Sequence, residues 1–71
     1  MKEIRKKQIG ARIKLKRKET GYLQRELALH CTTISVRIGE FERGVTIPNT
    51  DMVIKLSIAL DCTTDYLLKG I

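Results

Sequence analysis

The side chains best suited to nucleophilic, general-base or soft-metal chemistry are His30, Cys31 and Cys62, and their number and spacing exclude most of what they could do. A catalytic nucleophile needs a base within hydrogen-bond reach and a third group to orient that base. One histidine and two cysteines in apolar patterns do not supply the set, so the chain is not expected to be an enzyme. A structural zinc site needs about four ligands in close pairs. Cys31 and Cys62 have thirty residues between them and only His30 as a further soft ligand, so no metal and no cofactor are expected. Both thiols are expected to be reduced and packed, since nothing in the sequence suggests export. His30 falls at a helix end, where it is expected to be solvated or capping.

The remaining chemistry is charge. The net charge is +6, and residues 1–18 hold nine Lys and Arg against one acid, Glu3, while the rest of the chain holds five bases against seven acids. Such a dipolar protein attracts a polyanion through long-range, salt-sensitive forces. Nucleic acid and an anionic membrane both fit that description. Lys2, Arg5, Lys6 and Lys7 are the candidate basic arm, with a merely solvated helix face as the alternative. For the membrane, the apolar face of the first segment is thin, only Ile4, Ile9, Ile13 and Leu15, and the core is expected to claim these residues. No segment approaches the roughly 20 apolar residues of a span, and the N-terminus lacks a signal-peptide core, so no membrane partner and a cytoplasmic location are expected.

Charged groups recognise a target only if a scaffold holds them, and the scaffold is legible as helices. Hydrophobic residues make up 42% of the chain and charged residues 31%, an ordinary globular balance. One proline, five glycines and no long alternating β-branched run predict an all-α fold, a single domain over residues 1–71. Helix one is predicted over about 2–19, with Ile9 and Ile13 inward and Gly21 ending it. A short helix over about 24–30 follows, then one from residue 34 or 35 to about 42, with Ile38 and Phe41 inward and Gly44 past its end. Asn49 is a good cap for a fourth helix with Val53, Leu56 and Leu60 buried, and Asp61 can end it. Thr63 can cap a short fifth helix carrying Tyr66, Leu67 and Leu68.

Between the second and third helices about three residues remain, too few for an antiparallel pair and enough for a steep crossing. Ala28 falls where the two cross, and a larger side chain would push them apart. Leu27, Cys31, Ile38 and Phe41 would seal the core behind that crossing. The third helix then stands out from the surface, able to enter a major groove.

At these residues, GlnArgGluLeuAla at 24–28 and IleGlyGluPheGluArgGly at 38–44, the sequence resembles the lambda-repressor-like family of Cro and phage-repressor (XRE-type) helix-turn-helix domains. ArgIleLysLeuLysArg at 12–17, Gly21, Pro48 and AlaLeuAspCysThrThrAspTyrLeuLeu at 59–68 extend the likeness over nearly the whole chain. The resemblance implies a compact five-helix domain with the helix-turn-helix at about 24–43. It implies double-stranded DNA as partner, with the third helix in the major groove. Gln24 resembles the family's phosphate-binding glutamine, and Arg43 and the loop around Thr46 look like further backbone contacts. Ser35, Val36, Gly39 and Glu40 match positions that face base edges, with Arg37 near them; Val36 can pack on a thymine methyl. Glu40 must accept from a cytosine or pair with a base, and pairing with Arg37 is the expectation. Arg17 and Glu42 match a pair that forms a buried ion pair in several family members.

The sequence departs from the family pattern at Leu23, Thr32, Thr33 and Ile34, where a small cap, a glycine, an apolar residue and a second cap are usual. A β-branched residue tolerates a left-handed turn poorly, so Thr32 or Thr33 is expected to cap the third helix, with Ile34 facing partly inward. Gly39 costs a helix about 1 kcal/mol relative to alanine, and close approach of backbone to DNA is one explanation. Overall the sequence reads as a prokaryotic or phage transcriptional regulator, expected to repress. A homodimer through the 45–50 loop and the helix 4–5 region would serve two half-sites. The reading from another class is a protein-interaction module such as an antitoxin or bridging-factor component.

Overall fold

The computed structural model describes the backbone of residues 2–71 and the side chains from Arg5 onward, so the side chain of Lys2, assigned above to the basic arm, lies outside the described residues. Five helices follow in order: α1 (Lys2–Thr20), α2 (Gln24–His30), α3 (Ser35–Arg43), α4 (Thr50–Ala59) and α5 (Thr64–Lys69). No strand occurs among the described residues.

The inward stripe of α1 is Ile9, Ile13 and Arg17, spaced four apart and therefore stacked on one helix face. Leu15, expected in the core, is half exposed instead. Two residues past Ile13 the helix has turned about 200°, so Leu15 looks away from the core while Arg17 takes the next inward turn. Ile9, Ile13, Leu27, Ala28, Cys31, Ile38, Phe41, Leu56, Leu60 and Leu67 form one continuous core. Helix α1 packs chiefly on α3, which α2 crosses; α4 and α5 close the other side. Cys62, expected buried, is only half-buried, and neither cysteine is bonded to the other. Burial pushes both thiols up, Lys55 opposing it at Cys31 and Lys16 opposing it at Cys62, so they are protonated at neutral pH.

The contact between α1 and α3 is at backbone distance. A Cβ on Gly10 would collide with the carbonyl oxygen of Phe41 and lie 2.8 Å from that of Glu42. Three residues earlier, Lys7 lies against the end of α3, its Cα 3.0 Å from where a Cβ on Gly44 would stand. The first helix thus lies directly on the carbonyl end of the third.

Local chemistry fixes the ends of the helices. The Asn49 side chain accepts from the Met52 N–H (2.8 Å) and Thr63 Oγ1 from the Tyr66 N–H (2.9 Å), each satisfying a donor that the first turn leaves open. The turn between α2 and α3 departs from expectation. Thr32 adopts the left-handed conformation, φ 54°, despite its β-branch. In return the Thr33 N–H reaches the Ala28 carbonyl (2.9 Å) and the Thr32 N–H that of Leu29 (3.3 Å), the paired hydrogen bonds of a Schellman end. Two bonds of about 1 kcal/mol each match the roughly 1–2 kcal/mol that the left-handed residue costs. Neither threonine caps α3. Its preceding residue is Ile34, extended at φ −114° and ψ 155°, with no side-chain cap and with its side chain 63% exposed rather than inward. Thr32→Gly is therefore expected to stabilise the domain by about 1 kcal/mol, the relieved strain exceeding the added chain entropy. That corresponds to a rise of roughly 4–8 °C in a circular-dichroism melt. A lower melting temperature would contradict the strain.

Candidate nucleic-acid interface

Helix α3 presents two unlike faces because its apolar residues recur at three-residue spacing. Ile38 and Phe41 are fully buried, and Ser35, Val36 and Arg37 are exposed, with Val36 63% open to solvent. Ala28, expected at the crossing of α2 and α3, is 2% exposed, with Leu27 and Cys31 beside it at no exposure. Gly44, left-handed at φ 74°, ends the helix.

Two of the groove-facing assignments need correction. Gly39 is buried, not open for close approach of its backbone. The side chains of Arg43 and Gln24 cover it: a Cβ at residue 39 would lie 3.0 Å from Arg43 Nη1 and 3.7 Å from Gln24 Oε1. The second correction is the pairing of Glu40 with Arg37. The Arg37 guanidinium lies over the Phe41 ring, 5.6 Å from its centroid. Four residues apart, the two share a helix face, and the ring offers the cation its electron-rich surface. Glu40 remains half-buried and has no ion-pair partner among the described residues.

Behind α3 lies a polar network anchored on Arg17. Its Nε donates to Glu42 Oε2 (2.6 Å), its Nη2 to Glu42 Oε1 (3.1 Å) and its Nη1 to the Tyr22 carbonyl (2.8 Å). The two side chains are 10% and 3% exposed. Glu42 Oε1 also accepts from Gln24 Nε2 (3.0 Å), so one carboxylate ties α1, the start of α2 and the end of α3 together. This engages one of the two Nε2 hydrogens of Gln24 and leaves the other to donate. Gln24 lines a shallow polar cleft of about 400 Å³ with Arg17, Leu23, Arg25 and Ser35. Sequence reasoning passed over Arg25. Its place in the first turn of α2, directly after Gln24, was the available signal.

The remaining candidates are distributed around this centre. Thr46 is exposed in the loop after α3, and Arg43 is exposed at the end of that helix. Lys7 is exposed where α1 meets Gly44, and Lys6 is half-buried. Arg5 is exposed and lines a separate, mainly apolar groove of about 520 Å³ with Ile47, Pro48, Val53, Ile54 and Leu68. His30 is exposed and lies against Tyr22 in a tilted arrangement, ring centroids 4.9 Å apart and planes 34° from parallel. No group of three His, Cys, Asp or Glu side chains gathers among the described residues, and no helix among them is long and apolar enough to cross a membrane.

A solvent-facing second helix wedged across a short first one defines a class, and the chain belongs to it: the helix-turn-helix family model matches residues 13–67. Within that class it is similar to Repressor protein C2 of Salmonella phage P22, 40% identical over 62 residues, 87% of this chain and 29% of the relative. It is also similar to the HTH-type transcriptional regulator ImmR of Bacillus subtilis (strain 168), 37% identical over 60 residues, 84% of this chain and 47% of the relative. The chain thus spans under a third and about half of the lengths of these two relatives. Among solved structures, the P22 c2 repressor in complex with synthetic operator 9T superimposes with a TM-score of 0.86 at 40% identity, covering 89% of this chain and 96% of that one.

Proposed function

We propose that this domain binds double-stranded DNA sequence-specifically, as the DNA-reading part of a cytoplasmic transcriptional repressor, with α3 in the major groove. The observation that carries the reading is the two-faced α3: Ser35, Val36 and Arg37 open to solvent, with Ile38 and Phe41 sealed behind them. The likeness to a repressor solved on its operator supports it. Ser35 would donate to or accept from a base edge, Val36 would pack on a thymine methyl, and Glu40, free of Arg37, would accept from a cytosine amino group. Arg37 would reach a phosphate or a guanine from the edge of the same face. Gln24, Thr46, Arg5, Lys6 and Lys7 would hold phosphates and so set the register without reading sequence.

A homodimer through the 45–50 loop and the α4–α5 region belongs to the same proposal. Two copies on half-sites about one helical turn apart would each present one α3. Ile47 and Ile54, which line the groove there, support that choice of surface, since they remain uncovered in a single copy.

Fluorescence anisotropy with a pool of random duplexes, titrated with salt, tests the reading. Affinity is expected to fall with a log-log slope of about −0.9 for each phosphate engaged, and rounds of selection are expected to enrich a two-fold symmetric site. An interaction indifferent to salt, or none at all, would sink it and leave the protein-interaction module as the better account.

A further inference from the structure

On the DNA-binding reading just given, we infer that Arg43 reads a guanine base at the centre of the interface, through the gap left by Gly39, and is not one of the phosphate anchors. Ser35, Gly39 and Arg43 are spaced four apart and form one row along α3, the row that begins at the exposed Ser35. Arg43 does not extend past the helix end toward a flanking backbone. It folds back along the row, bringing Nη1 to 3.0 Å from the point where residue 39 would carry a Cβ. The Gln24 amide borders the same point, at 3.7 Å for Oε1 and 3.8 Å for Nε2. The guanidinium therefore occupies the space that a side chain at residue 39 would fill in the middle of the face.

Nothing among the described residues consumes its charge. Arg43 has no ion pair or hydrogen bond there, and the neighbouring acid, Glu42, is engaged by Arg17 and Gln24. A planar fork of donors, held over a helix surface and unpaired, matches the two acceptors O6 and N7 of guanine, the commonest specific contact in a major groove. On the adjoining row Glu40 supplies the opposite character, an acceptor suited to the cytosine amino group. Gly39 thereby acquires a reason that helix propensity alone denies it: without a Cβ it leaves room for a longer reader rooted one turn away.

The test is a selection profile from random duplexes for the wild-type chain, Arg43→Ala and Gly39→Ala. Arg43→Ala is expected to flatten the preference for G·C at one position of each half-site by about tenfold, leaving the other positions unchanged. Gly39→Ala is expected to flatten that same position, because its methyl group displaces Nη1, while the melting temperature holds or rises with the better helix former. A uniform loss of affinity over all sequences in Arg43→Ala, with the salt slope reduced by about 0.9, would mark a phosphate contact and overturn the assignment. Absence of wild-type binding to any duplex would instead overturn the DNA-binding reading, and this assignment with it.

Discussion

Gly10→Ala is expected to cost the domain about 3 kcal/mol, although it adds only a methyl group. The usual effect of this change inside a helix is a gain of about 1 kcal/mol, since alanine is the better helix former. Here the new Cβ meets the Phe41 carbonyl oxygen head-on and stands 2.8 Å from that of Glu42. Both are backbone atoms of α3, which cannot rotate aside as a side chain would. The helices must separate instead, and the core behind them, Ile9, Ile13 and Phe41, opens with them. For a chain this size the whole stability is on the order of 4–10 kcal/mol, so such a loss removes a large part of it. Urea unfolding of the two proteins measures it. A variant as stable as the parent would show that α1 does not lie on the backbone of α3.

The fold was largely readable because its determinants are local. Gly21, Gly44, Asn49 and Thr63 mark helix ends by their own conformational or hydrogen-bonding preferences. Ile38 and Phe41 mark the inward face of α3 by spacing alone. What the sequence hid was set by partners that residue type alone does not name, some in the same turn and some on other helices. Thr32 in a left-handed turn is improbable as a residue preference, and only the two carbonyls waiting at the end of α2 make it worthwhile. Leu15 is apolar but lies on the wrong side of α1, and the period that shows this runs through a charged residue, Arg17. Gly39 and Gly10 look alike in sequence as glycines inside helices. One makes room for a side chain and the other for a carbonyl, a difference that depends entirely on the partner element. At the candidate interface, residue types suggest that Arg37 neutralises Glu40, but the guanidinium lies over the Phe41 ring instead.

The second large effect is expected at Glu42. Replacing it with alanine should destabilise the domain by roughly 3–5 kcal/mol, most of it from the charge left behind and not from the bond lost. Arg17 is 9% exposed, so without its carboxylate the guanidinium must stay buried and unpaired or drag the end of α1 toward water. Its bond to the Tyr22 carbonyl satisfies one donor only. The sign reverses if both partners are removed together: Arg17→Met with Glu42→Leu leaves no buried charge, and stability is expected to return to within about 1 kcal/mol of the parent or above it. A chemical-denaturation cycle over the two single variants and the double variant separates these contributions. Near-neutral single variants would show that water already screens the pair. The double variant carries a further consequence, because Gln24 Nε2 also rests on Glu42. On the DNA-binding role proposed above, a domain as stable as the parent but with a free Gln24 amide should bind duplex DNA more weakly. That outcome would separate what the carboxylate does for the fold from what it does for the interface.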